Sequence, residues 1–371
     1  MKFFLKTVLA AVIILAVLPF SAFAESGGEE YKNLVEDELF SSFDDEVKDA
    51  LEAFGIETLD GSAFDFSFES LSDYFSTNLK EKAGAAIKVL FGLLSLLMAV
   101  AVLETIKGKD EKDGVLSVLS VCVFSLLSAQ KAYNVLNIAV TAVESINRLT
   151  ASYVPIYAGI IAVSGNPAGA ATYNSLSLLL AEGVSAFSAK LLVPFVGAVL
   201  CLTIAFSMSK AVNCNRFLSA AGRVSNVALG VAAAFFTGFI SFKNVLSFAA
   251  DNASSKGVRF LVSSLIPVVG SAMSDAYSAF ASSINLIKGS VAVVGICAVF
   301  ASCFPAVSQL LLYYFSFSLL SFSAEILGQN EVSSLFKGFS LAVKILTLVL
   351  IYEMFIMIIS TGLMLNLKGG T

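Results

Sequence analysis

The sequence contains no histidine and no tryptophan among its 371 residues. Histidine is the commonest general base near neutral pH and the commonest metal ligand, so its absence argues against most enzyme classes. The five cysteines are spread through the apolar part of the chain without any C-x-x-C pair, which argues against a metal site or a disulfide framework. No Walker A loop, G-x-S-x-G elbow or H-E-x-x-H motif occurs. We therefore expect no enzymatic activity, no metal and no cofactor.

Charged residues are scarce as well: 14% of the residues are charged, whereas 57% are hydrophobic. Soluble domains are about 25% charged and about 45–50% apolar, so a water-soluble core is the wrong description. Apolar stretches lie at 84–103, 115–131, 151–164, 171–189, 191–209, 224–242, 258–274, 290–322 and 338–365. A spanning helix needs about 20 residues and several stretches are shorter. We therefore predict an all-α, polytopic helical membrane protein with seven to nine membrane segments.

The first 24 residues have the features of a cleavable export signal. Two lysines precede an apolar core at 8–18, and the small residues Ala22 and Ala24 form a cleavage pattern. An uncleaved anchor helix is the alternative, but the apolar core is short for a membrane span. We predict cleavage between Ala24 and Glu25.

An acidic segment follows the signal, at 25–82, with 17 acidic and four basic side chains and hence a net charge of −13. Apolar residues recur at spacings of three and four from Leu34 to Phe54 and again at 71–79, which predicts two short amphipathic helices. These helices either dock on an extracytoplasmic protein, lie on the membrane surface, or pack on the chain's own bundle. Anionic lipid headgroups would repel this charge, which favours a protein contact. The remainder, 83–371, is the predicted transmembrane domain.

The distribution of basic loops raises a question about topology. With an exported N-terminus, the first span runs inward and delivers the lysine-rich loop 104–113 to the cytoplasm, in agreement with the positive-inside rule. Counting onward places the basic loop 243–259 outside, against that rule. Either 224–242 or 258–274 is a re-entrant segment, or the charges of this loop serve a purpose other than topology.

Glu353 is the sharpest case of a charge inside an apolar stretch, since it lies near the middle of 338–365. An ionisable group at bilayer depth costs about 2.5 kcal/mol or more, so Glu353 must be protonated, paired or in contact with water. Lys344 lies nine residues away, on the opposite side of a helix, and cannot be its partner. A hydrogen bond that locks two helices is one interpretation, and a polar lining for a transported solute is the other. Asp275 and Lys288 also lie beside apolar runs.

Two blocks of the membrane domain resemble each other weakly. Pro155, Gly159 and Pro194 are matched by Pro267, Gly270 and Pro305 at offsets of 112, 111 and 111 residues. Internal repeats of this kind occur in many transporters, where helices interrupted by Pro or Gly meet at the substrate site. One hypothesis is therefore a secondary transporter or permease for a small solute, with broken helices and buried acids at its site.

A more specific pattern occupies the region 251–294. It consists of Asp251, Gly257-x-Arg259, Ile266-Pro267-Val268-Val269-Gly270, Ser274-Asp275-Ala276 and Ile287-Lys288. Further matching positions are Tyr153-x-Pro155, Ser164-Gly165, Tyr173 and Pro194. Together with the order of signal, acidic segment and multi-span domain, this pattern resembles the stage III sporulation protein AE family of endospore-forming Firmicutes, over about 84–365.

The resemblance implies a non-enzymatic membrane subunit of a channel or secretion-like complex between mother cell and forespore, needed for late forespore gene expression. It implies a location in the mother-cell-derived outer forespore membrane, with the N-terminal segment extracytoplasmic. The implied partners are the other stage III A sporulation proteins and a forespore membrane protein, besides the lipid bilayer; no nucleic acid is expected. The candidate structural or pathway positions are Pro155, Gly165, Pro194, Asp251, Arg259, Pro267, Gly270, Asp275, Lys288 and Glu353.

Overall fold

The computed structural model describes residues 29–59, 68–107, 113–164, 166–209, 212–238 and 270–365. These residues form helices joined by short turns, and no strand occurs among them, which confirms the predicted all-α class. The helices are α1 (Glu29–Ser41), α2 (Asp45–Ala53), α3 (Phe68–Lys107), α4 (Asp113–Val163), α5 (Pro167–Phe187), α6 (Val193–Ser207), α7 (Cys214–Gly238), α8 (Gly270–Ile326) and α9 (Asn330–Leu365).

The start and the end of α2 follow from local sequence. Asp44 precedes the helix in an extended conformation, and the acidic residues of the first turn complement the positive end of the helix dipole. At the other end, Gly55 has a φ of +77°, a left-handed conformation that favours glycine. The amide of Ile56 donates to the carbonyl of Leu51 at 2.9 Å, which completes a Schellman motif.

Helices α1 and α2 pack on the chain's own membrane helices. Val35, Leu39, Phe43 and Leu51 are buried in the same apolar core as the long helices. The ring of Phe54 contacts that of Tyr74 on α3, edge to face, with centroids 4.9 Å apart. Of the possibilities left open by the sequence, the structure thus shows packing on the bundle. The second predicted short helix, at 71–79, is the beginning of α3, which crosses the expected boundary at 82/83 without a break.

Several apolar stretches that the sequence separates are joined in single helices. The stretches 115–131 and 151–164 both belong to α4, since the 19 residues between them contain neither Pro nor Gly to end a helix. The stretches 171–189 and 191–209 belong to one uninterrupted helical segment, which consists of α5, a short π-helical segment and α6. Six helices of the described residues are long and apolar enough to cross a membrane. Most of 258–274 and the loop 243–259 lie outside the described residues, so the number of spans and the re-entrant segment stay predictions.

Proline changes the helix geometry at the junction of α5 and α6. A π-helical segment, Ser188–Leu192, connects the two helices, and Pro194 follows it in the first turn of α6. Proline has no N–H to donate, and its ring would clash with the carbonyl of residue 190 in a regular α-helix. A wider turn relieves that clash, which explains the π segment. By contrast, α4 continues through Pro155 and α8 continues through Pro305.

Helices α8 and α9 form a hairpin at the centre of the bundle. Gly328, at φ +79°, closes the turn between them. Serine hydroxyls connect the two helices, with Ser318 and Ser340 at 2.7 Å. Helix α9 also approaches α6 closely at Gly338, where a Cβ atom would overlap the side chain of Thr203. Small residues at such crossings allow the backbones to come together.

Candidate functional site

The inner face of α9 carries a row of polar and polarisable side chains near its C-terminal end. Glu353, Met357, Ser360 and Thr361 follow one another at helical spacing and therefore share one face. All four are buried, at 1–2% exposure. Lys344 is exposed, which agrees with the prediction that it lies on the opposite side of the helix from Glu353. This face therefore turns toward protein and away from the surroundings.

Hydroxyl groups of α4 and α5 meet this face of α9. The hydroxyls of Tyr173 and Thr361 are 3.3 Å apart, and those of Ser177 and Ser360 are 3.2 Å apart. The Thr150 hydroxyl approaches the sulfur of Met357 at 3.6 Å, while it also donates to a backbone carbonyl of its own helix. Side chains from Met357 to Thr361, a little more than one turn of α9, thus connect this helix to α4 and α5.

Three tyrosines fill the space between α4, α5 and α8. The rings of Tyr153 and Tyr157 stack with centroids 5.5 Å apart, and Tyr173 meets Tyr157 edge to face at 5.3 Å. The hydroxyl of Tyr153 donates to the carbonyl of Val291 at 3.4 Å. The Tyr153 ring lies directly against Gly295 of α8, where any Cβ atom would overlap it. These rings therefore depend on a glycine in α8 for their position.

Two polar groups at this site have no hydrogen-bond partner among the described residues. They are the Tyr157 hydroxyl and the Glu353 carboxyl, both oxygens of which are buried. The thiol of Cys303 lies close enough to Glu353 to interact with it electrostatically. Burying a polar group without a partner costs about 1–3 kcal/mol, and a charged carboxylate would cost more. The arrangement therefore requires a protonated carboxyl, a bound water or a partner outside the described residues.

We call this set the polar cluster: Thr150, Tyr153, Tyr157, Tyr173, Ser177, Glu353, Ser360 and Thr361. Of the predicted candidate positions, it includes Glu353 alone. Lys288 is buried on α8, one turn before the Val291 carbonyl that accepts from Tyr153. Among the residues of α5 and α9 with a hydroxyl in the cluster, the family resemblance named Tyr173, whereas Ser177, Ser360 and Thr361 were not identified from the sequence. Their only signal is the helical spacing of Ser360 and Thr361 from Glu353.

The other candidate positions are dispersed. Pro155 lies on the exposed side of α4, Pro194 opens α6, Gly270 begins α8, and Asp275 lies in the first two turns of α8. Gly165, Asp251, Arg259 and Pro267, together with the predicted cleavage site at Ala22, Ala24 and Glu25, lie outside the described residues. Within the described residues, no group of three His, Cys, Asp or Glu side chains is placed to hold a metal ion.

A polar cleft of about 270 Å³ lies where the turn between α1 and α2 meets α4 and α8. Arg148 lines the cleft, and its Nε lies 3.7 Å from Asp44 Oδ2. Ser302 of α8 also lines it. Partial burial, with a smaller contribution from the charge of Glu38, raises the pKa of the nearby α1 residue Tyr31. Both partners of the ion pair are more than half exposed, so this cleft borders water.

Comparison with known proteins assigns the family. The profile of stage III sporulation protein AE matches residues 54–367. The chain is similar to the stage III sporulation protein AE of Bacillus subtilis (strain 168), with 23% identity over 180 residues that cover 47% of this chain and 44% of that protein. The aligned region spans less than half of the length of this curated relative. No solved structure matches the chain. Because the profile covers most of the sequence, the chain belongs to the stage III sporulation protein AE family.

Proposed function

We propose that this sporulation protein is a non-enzymatic integral membrane subunit of a channel or secretion-like complex between mother cell and forespore, needed for late forespore gene expression. The observation that carries the proposal is the family match over 54–367, in a chain with six long apolar helices. The proposed location is the mother-cell-derived outer forespore membrane. The proposed partners are other stage III A sporulation proteins and a forespore membrane protein.

The form of the polar cluster favours a structural subunit over a permease. Its contacts join hydroxyl to hydroxyl across neighbouring helices, as in the Tyr173–Thr361 and Ser177–Ser360 pairs. Glu353 lines neither the polar cleft at Arg148 nor the small cavity between Ala139, Ser188 and Leu350. These observations support the interpretation that the cluster holds the helices together.

The exported helices offer partners a charged surface. Their apolar sides are buried in the bundle, so the surface left for a partner is acidic. Its exposed acidic residues are Asp37, Glu38, Asp45, Glu46, Asp49 and Glu52. Contacts to an extracytoplasmic protein would therefore be electrostatic and weakened by salt.

Replacing Glu353 by Gln separates the two functional hypotheses. The Glu353→Gln variant is expressed in the endospore-forming host. If the chain is a structural subunit, the cells either form spores normally or lose both the assembly of the complex and the spores. A permease would assemble normally and still fail to support sporulation. Asp275→Asn provides the same comparison on α8. Assembly is measured by co-purification of the stage III A proteins, and function by heat-resistant spore counts; normal assembly with lost function would contradict the proposal.

Charge reversal on α2 tests the partner surface. Asp49→Lys with Glu52→Lys removes acidity from exposed positions without touching the buried side of the helix. Glu182→Lys, on the exposed side of α5, is the matched control. We expect the α2 double variant to lose co-purification of partners, whereas the control retains it. This test is sharper than deleting 28–78, because the deletion would also remove residues that belong to the core.

A further inference from the structure

The longest helices are much longer than a bilayer is thick. Helix α4 has 51 residues and α8 has 57. At about 1.5 Å per residue these helices measure about 76 and about 86 Å, whereas the hydrocarbon core is about 30 Å thick. Even the steepest usual tilt, about 40°, leaves close to half of each helix outside the hydrocarbon. The exposed residues of each helix indicate which half lies outside the hydrocarbon.

The exposed side of α4 distinguishes the two halves, because its residues change from mostly apolar to mostly polar or small along the helix. In the N-terminal part, most exposed residues are large and apolar, with Leu126 exposed at 77% and Tyr133 at 61%; Ala129 and Gln130 are exposed as well. Beyond this point the exposed positions as far as Gly159 are polar or small: Asn137, Thr141, Glu144, Arg148, Ala151, Pro155 and Gly159. The large apolar Val163 is exposed in the last turn of the helix. Lipid-facing surfaces are apolar throughout, so the boundary of the hydrocarbon crosses α4 between Tyr133 and Asn137.

Helix α3 gives the height of the apolar surface independently. From Ile87 onward its large exposed apolar residues are Ile87, Phe91, Met98, Val102, Leu103 and Ile106, and Leu79 is an isolated one before them. From Ile87 to Ile106 the helix rises about 29 Å, which matches the hydrocarbon thickness. Before Ile87 the exposed side carries Lys80 and Glu81. Lys88 lies at the edge of this surface, within reach of the boundary for a lysine side chain.

Contacts between helices show where the same boundary crosses the π segment and α9. A small cleft of about 50 Å³ is lined by Ala139 of α4, by Ser188 of the π segment and by Leu350 of α9. These three positions therefore lie at one level, just past the boundary on α4. Glu353 and the rest of the polar cluster follow farther along, since Met357 contacts Thr150. The exported helices attach at the same end, through Asp44 and Arg148.

We infer that lipid contacts one belt around half of the bundle, and that the half containing the polar cluster projects from the bilayer on the side of the exported segment. The lipid-facing belt comprises the exposed apolar residues of α3 from Ile87, of α4 up to Tyr133, of α7 from Val224 to Val231 and of α8 from Phe315. The projecting half consists of α4 after Asn137, α5, the first part of α8 and the end of α9. Exposed apolar residues also occur at this level, namely Val163, Leu179, Ile359 and, next to the Phe236 that packs against Ile356, Phe235. They are spread over four different helices, and scattered exposed apolar residues are normal for a water-exposed surface.

Cysteine labelling along one side of α4 tests this inference. The five native cysteines are replaced by serine, and single cysteines are introduced as Leu126→Cys, Thr141→Cys and Ala151→Cys. All three positions are exposed and close to one side of the helix, so folding is preserved and only the depth differs. A membrane-impermeant maleimide, added from the extracytoplasmic side, is expected to label Thr141→Cys and Ala151→Cys fully and Leu126→Cys hardly at all. Labelling after denaturation gives the total for each variant.

Protection of Ala151→Cys or Thr141→Cys to the level of Leu126→Cys would overturn the inference. So would labelling of these two positions from the cytoplasmic side alone. A second measurement does not depend on thiol chemistry: Leu126→Arg is expected to reduce the amount of protein in the membrane, whereas Ala151→Arg is expected to leave it unchanged. Equal loss for both arginine variants would place the two positions in the same environment and refute the belt.

Discussion

The contact between Gly295 and Tyr153 gives the strongest prediction for the stability of the bundle. A methyl group at residue 295 would overlap the Tyr153 ring, which is 1% exposed and has no free space to enter. The ring would have to move, together with its stack on Tyr157 and its hydrogen bond to Val291. Overpacking of this kind typically costs about 1–3 kcal/mol. We therefore expect Gly295→Ala to lower the thermal midpoint of the purified protein.

Gly159→Ala is the matched control. Gly159 also lies within a helix, but a Cβ atom there would have no neighbour within 4 Å. Both substitutions gain up to about 1 kcal/mol from the better helix propensity of alanine. The difference between the two variants therefore isolates the overlap with Tyr153. We expect Gly295→Ala to be the less stable of the two by about 1–3 kcal/mol.

The assay uses the protein's own thiols. Cys214 and Cys303 are free and buried, so a thiol-reactive dye reports their exposure on heating in detergent. Equal midpoints for Gly295→Ala and Gly159→Ala would refute the reasoning. A third variant adds a check: combining Gly295→Ala with Tyr153→Leu removes the overlapping ring atoms. It is expected to be no less stable than Tyr153→Leu alone, because the two positions are in contact and their effects are not additive.

Three further predictions use the same dye assay or proteolysis. Leu51→Ala should cost about 2–5 kcal/mol and increase cleavage of α1 and α2 by protease, whereas Leu34→Ala, at a residue that is 65% exposed, should leave cleavage unchanged. Gly328→Ala should lower the free energy of unfolding by about 1–2 kcal/mol, and the thermal midpoint with it, because alanine disfavours the left-handed conformation of that turn. Tyr173→Phe and Thr361→Val should each destabilise by about 1 kcal/mol, and their double variant by less than the sum, because they remove the same contact.

The spacing of apolar residues over 34–54 predicted one amphipathic helix, whereas the structure divides this range into α1 and α2. The spacing of Leu39, Phe43 and Leu51 predicts one buried side, and all three are buried in the structure. Spacing alone does not say what covers that side, since lipid, a partner or the chain's own bundle would all suit it. The spacing did not predict the break at Asp44 or the turn at Gly55, although both agree with local preferences, namely a residue suited to precede a helix and one suited to positive φ.

The sequence was less informative about where membrane helices begin and end. Hydropathy separates 115–131 from 151–164 because polar residues lie between them, yet polar residues do not end a helix. The family resemblance names Tyr153 and Tyr173, but nothing in the sequence predicted that the tyrosines of the polar cluster lie together. Tyr153, Tyr157 and Tyr173 meet only because α4 and α5 pack together and Gly295 leaves room on a third helix. No spacing within a single helix encodes that meeting.

Hydropathy cannot by itself locate the bilayer in this protein, because an apolar helix is suited to lipid and to a protein core alike. In the most apolar window of α3, 17% of the residues are buried, whereas the figure for α8 is 67%. The chain itself thus leaves most of the apolar surface of α3 uncovered, whereas that of α8 is covered by other helices. The same distinction applies to Glu353, whose apolar neighbours suggested a position at bilayer depth. Its side chain is 2% exposed and lies near Cys303 of α8, so the free-energy cost of its burial is determined by protein packing, wherever the hydrocarbon boundary lies.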